Sequence, residues 1–130
     1  MIDQEKFNKA ILLAKEVYNN SHSPYSNFKV SAVVKAVDHD ELFPGVNVEN
    51  ASFGGTICAE RSAITNMITV LGKVDIEFIV IMTKDSSDAC LICQQFMSEF
   101  GQGQPIKLFL CDENMHTTEK ESYVGFHLFN

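Results

Sequence analysis

Three cysteines and one glutamate are the residues of this chain whose types and spacing can do chemistry. Cys90 and Cys93 form a C-x-x-C pair, and Cys58 stands about thirty residues earlier in Thr56-Ile57-Cys58-Ala59-Glu60-Arg61. A C-x-x-C turn lets two sulfurs reach one ion, and a third thiolate from elsewhere leaves one tetrahedral position open, the arrangement of a catalytic zinc site. Zinc lowers the pKa of water in that position from about 15.7 to around 7. Glu60, two residues after Cys58, can then take a proton and return it to a leaving group, which is general acid–base work. Three thiolates on one zinc leave a net negative charge, and Arg61 is the neighbour that could offset it by hydrogen bonding to sulfur. A lone C-x-x-C would equally suit a redox dithiol or two buried cysteines. The second block, C-A-E, tilts the reading to zinc.

Both blocks fall where the sequence predicts the first turn of a helix. A helix N-terminus carries unpaired N–H groups and about half a positive charge, which favour thiolate over thiol. Cys111 sits in an apolar run and reads as a core residue, although as a fourth ligand it would close the site and make the zinc structural. His22, His39, His116 and His127 show no ligand spacing.

The elements that must position these residues follow from apolar periodicity. Asp3 caps a helix over 4–19, in which Phe7, Ala10, Ile11, Ala14, Val17 and Tyr18 recur at helical spacing. Residues 29–37 and 42–48 read as a hairpin about the turn 38–41. A helix runs from 58 to its stop at Gly72, a buried strand covers 76–82, a helix covers 90–100 before Gly101, and a strand covers 106–111. The tail beyond is poorly patterned. Alternating strands and helices predict an α/β fold with a mixed sheet, and 130 residues without repeat or linker predict a single domain over 1–130.

Charge and composition narrow the partners. The net charge is −7, with ten Lys and Arg in all, which argues against a nucleic-acid partner. No stretch approaches the roughly 18–20 apolar residues that cross a bilayer. The N-terminus lacks a signal-peptide pattern, so a cytoplasmic location is expected.

Taken jointly, four blocks resemble the cytidine deaminases of the small, homotetrameric, three-cysteine zinc class: P-Y-S-N-F at 24–28, N-V-E-N-A-S-F at 47–53, T-I-C-A-E-R at 56–61 and C-L-I-C-Q-Q at 90–95. The resemblance implies a three-layer α/β/α sandwich, one Zn2+ per subunit, and hydrolysis of cytidine or 2′-deoxycytidine in pyrimidine salvage. It implies Cys58, Cys90 and Cys93 as ligands, Glu60 as the catalytic proton carrier and Arg61 beside the sulfurs. Phe28 would pack on the pyrimidine, Asn47 and Glu49 would bond the ribose, and the backbone of Ala59 would hold the base carbonyl. Phe53 and Phe126 (or Phe129) would reach a neighbouring subunit's site. Several positions depart from the family: Ala89 stands where proline is usual, Gln94 where arginine is common, Phe53 where tyrosine is common, Leu91 and Ile92 are bulkier than usual, and the tail matches poorly. The competing readings are a deaminase of a modified or antibiotic cytosine nucleoside, and a non-catalytic structural zinc protein.

Overall fold

A computed structural model describes residues 2–122. The elements run α1 (Gln4–Tyr18), β1 (Ser31–Ala36), β2 (Leu42–Val46), a 3-10 turn (Phe53–Gly55), α2 (Ala59–Leu71), β3 (Ile76–Met82), α3 (Leu91–Ser98), β4 (Lys107–Cys111) and β5 (Thr117–Glu121). The strands form one five-stranded sheet in the order β2-β1-β3-β4-β5. Among the described strands only the β3–β4 pair is parallel, joined through α3, so the sheet is mixed.

Alternation along the strands builds two apolar layers. Ala32, Val34, Ile79, Ile81, Leu108 and Leu110 face Ala63, Ile64 and Met67 of α2 and Met97 of α3. Val33, Phe78, Val80, Met82, Phe109 and Cys111 face Ala10, Ile11, Ala14 and Tyr18 of α1. The result is the expected three-layer α/β/α sandwich, in which α1 is the one described helix on its face.

Local chemistry explains the element ends. The Asp3 carboxylate accepts from the N–H groups of Glu5 at 2.9 Å and Lys6 at 3.4 Å, capping α1. Gly72 ends α2 with φ 77°, a left-handed conformation that glycine adopts without cost. Helix α3 ends at Ser98, short of the expected residue 100. There the N–H groups of Phe100 and Gly101 bond three residues back, to Met97 and Ser98, and the chain tightens out of α geometry. The poorly patterned tail contains strand β5. Its sequence, Thr-Thr-Glu-Lys-Glu, has no apolar alternation because it is an edge strand held by backbone pairing with β4.

Register brings the site together. Ser31 at the start of β1 pairs with Met82 at the carboxyl end of β3 and with Val46 at the end of β2. The segments that precede β1, follow β2 and follow β3 therefore meet along one edge. Ligands of open α/β sheets bind outside the carboxyl ends of strands, and that edge holds the candidate site.

Helix α2 lies against β2 closely enough to exclude a side chain. A Cβ on Gly45 would come within 2.3 Å of Ala63 N and 2.7 Å of Ala59 O. Gly45→Ala must push away the helix that carries Glu60 and begins at Cys58. It is expected to lower stability by about 3 kcal/mol, at the upper end for overpacking. Urea unfolding checks this, and a loss below about 0.5 kcal/mol would mean that α2 yields freely.

Candidate metal centre and substrate cavity

Two helix starts supply the sulfurs. Cys58 is the N-cap residue of α2, and Cys90 is the N-cap residue of α3. Neither side chain bonds a backbone N–H of its own helix, so both are left for other partners. Cys93 lies in the first turn of α3 and is fully buried. The three Sγ atoms lie within 4.8 Å of one another, with Cys58 and Cys90 3.9 Å apart. Sequence spacing predicts this grouping, and the two helix starts produce it.

The charge balance of the three sulfurs calls for a cation. Hydrogen bonding from the Cys93 thiol, followed by Arg61, draws the Cys58 pKa down to about 5. Cys93 is pushed well up, first because it donates to Cys58 and then through burial. Three thiolates this close cannot all ionise unless a positive ion lies among them. Arg61 supplies part of that charge: its Nη2 donates to Cys58 Sγ at 3.8 Å and to Thr56 O at 3.3 Å. Its Nε is buried with no hydrogen-bond partner among the described residues. That cationic edge is compensated once the sulfurs carry negative charge. The donor set of three sulfurs suits zinc.

Cys111 takes no part. It lies on the α1 side of the sheet, across from α2 and α3, and burial raises its thiol to about 11. Among the described residues no fourth Cys, His, Asp or Glu joins the cluster. His22, His39 and His116 likewise lie outside it.

Beside the sulfurs lies a cavity of about 240 Å³, lined by Phe28, Asn47, Glu49, Cys58, Ala59, Glu60 and Cys90 among others. Sequence reasoning names all seven as site residues, and the fold brings them to one place. Glu60 is 4% exposed in the first turn of α2. Burial pushes its carboxyl up to about 6, and the negative charge of Cys58 adds to the rise. Ala59, the first residue of α2, is fully buried against the same space.

Asn47 and Glu49 line the same cavity. The Asn47 amide donates to Phe28 O at 2.9 Å, and its oxygen accepts from Val30 N–H at 3.0 Å and from the Ser21 hydroxyl. It thereby fixes the strand entry that carries Phe28. Glu49 accepts from the N–H groups of Tyr25 at 3.0 Å and Ser26 at 3.1 Å, and from the Ser26 hydroxyl. The bond from the Ser26 hydroxyl, with those two N–H groups, holds its carboxyl below the ordinary range. The Lys84 ammonium lies 5.5 Å from the centre of the Phe28 ring.

Phe53 stands outside this cavity, 89% exposed, over an adjoining hollow shared with Tyr25, Glu49 and Thr56. Phe126 and Phe129 lie outside the described residues. Sequence reasoning misses Thr83, Ser87 and Asp88, which line the cavity from the loop between β3 and α3. The run of small polar residues before Cys90 is the one signal that could have pointed to them.

The chain is similar to known proteins. A family model described as the cytidine and deoxycytidylate deaminase zinc-binding region matches residues 3–107, a span that includes Cys58, Glu60, Cys90 and Cys93 and stops short of Cys111. A cytidine deaminase of Mycoplasma pneumoniae is 43% identical over 89 residues, covering 66% of this chain and 65% of that protein. One from Mycoplasma genitalium is 41% identical over 100 residues, 75% of each. The crystal structure of a cytidine deaminase from Burkholderia pseudomallei superposes with a TM-score of 0.77 at 29% identity, covering 88% of this chain and 91% of that one.

Proposed function

The chain belongs to the cytidine and deoxycytidylate deaminase family, and on that premise we propose that it hydrolyses cytidine or 2′-deoxycytidine to the uridine product and ammonia. The observation that carries this reading is a buried carboxyl, Glu60, opening on the same cavity as the three-sulfur cluster. The reaction is a zinc-dependent hydrolysis of a C–N bond in a cyclic amidine.

Cys58, Cys90 and Cys93 hold one zinc ion, which when bound supplies Lewis-acid activation of water. Glu60 takes the proton that the attacking water loses as its oxygen adds to C4 of the base. It delivers that proton to N3, then takes the proton remaining on the C4 hydroxyl and passes it to the exocyclic amine, which leaves as ammonia while C4 becomes a carbonyl. Burial suits the carboxyl to this exchange, because its charged form is not held by bulk water. Phe28 packs against the pyrimidine. The N–H groups of the first turn of α2 have no partner within the helix, and the Ala59 backbone turns this polarity toward the base carbonyl.

Glu49 accepts the ribose 3′-hydroxyl, and Asn47 lies beside it. The hydrogen bonds of the Asn47 amide to Phe28 and Val30 keep the wall in place while the sugar binds. A site that bonds a hydroxyl in this way rejects analogues without it, and the ribose pair favours an ordinary nucleoside.

Homotetrameric assembly with shared sites, a cytoplasmic location and a role in pyrimidine salvage complete the proposal. The exposed ring of Phe53 beside the cavity supports a contact with a neighbouring subunit. Phe126 belongs to the same proposal by resemblance. No described helix is long and apolar enough to cross a membrane.

The test is a panel of nucleosides followed by ultraviolet absorbance, with metal content and light-scattering mass measured on the same sample. Cytidine or deoxycytidine should be converted. Zinc-loaded protein that leaves both unchanged sinks the assignment, and a monomer removes the shared-site roles of Phe53 and Phe126.

A further inference from the structure

We propose that Gln94 is a positioning residue for the metal centre, holding both peptide planes that flank Cys90, with Asp88 tying the preceding N–H. The Gln94 side chain donates from Nε2 to Ala89 O at 3.0 Å, and its backbone N–H donates to Cys90 O at 3.0 Å. These two carbonyls belong to the peptide units on either side of the Cys90 Cα. Fixing both fixes the torsions between them, φ −70° and ψ 162°. Those torsions decide where the Cα–Cβ bond of Cys90 points, and with it the arc that Sγ can reach.

Cys90 needs this backbone support because little else restrains it. Unlike Cys93, it is exposed, and its helix neighbours Leu91 and Ile92 are exposed as well. Packing cannot aim the sulfur, so hydrogen bonds must. Gln94 itself is 6% exposed, and the hydrogen bond from its side chain to Ala89 O is shielded from competing water.

The same loop is gripped from its other end. Asp88 Oδ1 accepts from Ala89 N–H at 2.7 Å, and Asp88 Oδ2 accepts from Lys120 of β5. Ala89 is thus held at its N–H by Asp88 and at its carbonyl by Gln94. A proline at position 89 would restrict the chain through its ring and would have no N–H to give. Here two hydrogen bonds do that work, and the bond from Ala89 N–H exists only because the residue is not proline.

The inference rests on the zinc reading above, and its readout is metal affinity, so it can fail while deamination stands. Zinc is titrated against a chromophoric chelator in the full chain and its variants, and cobalt(II) replaces zinc to report thiolate-to-metal absorption. Gln94→Met, similar in length but unable to donate, should bind zinc about 10- to 100-fold more weakly, the usual effect of losing a partner that orients a ligand. Its cobalt form should show a weaker thiolate band, because Cys90 no longer holds its place. A merely structural role would lower the melting temperature and leave both readouts alone. Affinity within about twofold of the parent overturns the assignment whatever the melting temperature does. Should Gln94→Met not fold, Asp88 decides at the exposed end of the loop. Asp88→Asn gives up the Lys120 contact but keeps an acceptor for the Ala89 N–H, and should hold zinc more tightly than Asp88→Ala, which should lose about tenfold. Equal affinities for these two variants overturn the proposal.

Discussion

Glu60→Gln is expected to keep its zinc and to deaminate cytidine about 10²- to 10⁴-fold more slowly than the parent, the range that a positioned proton carrier contributes. The substitution preserves the volume of a side chain that is 4% exposed, so the first turn of α2 should keep its packing and Cys58 its place. What it removes is the ability to pick up and return a proton. Each turnover needs that ability more than once, at the water, at N3 and at the departing amine. The loss should therefore fall on kcat, with KM changed by less than about threefold, because Phe28 and Glu49 still hold the nucleoside. Glu60→Asp, one methylene shorter, should lie between the two, since the carboxyl survives but stands back from the base. A near-normal rate in Glu60→Gln with full metal content would show that protons travel by another route.

How much of this could be read in the residues differs from element to element. Strand β3 is legible because both its faces are covered, which writes an almost unbroken apolar run. Helix α1 is legible because one face of it meets the sheet and the periodicity shows. The cysteines and Glu60 are legible because metal ligation tolerates few residue types and helix starts are well marked. Strand β5 carries no such mark: its side chains face solvent, and its pairing with β4 is made by backbone groups that every residue possesses. Gly45 is silent for a related reason. A glycine in a strand says nothing about the helix that presses on it from fourteen or more residues later.

The cavity shows the same division. The resemblance reads Asn47 as a sugar contact, and its amide is spent on Phe28, Val30 and Ser21 while the residue still lines the cavity. Thr83, Ser87 and Asp88 could not be found by periodicity, because a loop has none. They reach the cavity through the register that sets the end of β3 against the start of β1. The departures at Ala89 and Gln94 are visible as isolated substitutions in sequence. Only the fold shows that they meet in one hydrogen bond.

Cys93→Ala and Cys111→Ala are expected to behave as opposites, although both residues are fully buried cysteines. Cys93→Ala should hold almost no zinc after desalting and show no turnover above background. It leaves two sulfurs, on Cys58 and Cys90, 3.9 Å apart, and two ligands are too few for a site that must also keep a position open. Without the ion those two sulfurs would not both stay ionised, which weakens binding further. Cys111→Ala should keep one zinc per chain and normal turnover. It removes a sulfur from the core between the sheet and α1, and a small cavity there costs stability of about 1 kcal/mol. The sheet itself separates this position from α2 and α3, so no rearrangement of a side chain could carry Cys111 to the cluster. Metal analysis, turnover and urea unfolding on the two variants separate the outcomes. Loss of zinc from Cys111→Ala would mean a four-sulfur site with no place for water, and with it a structural role for the metal.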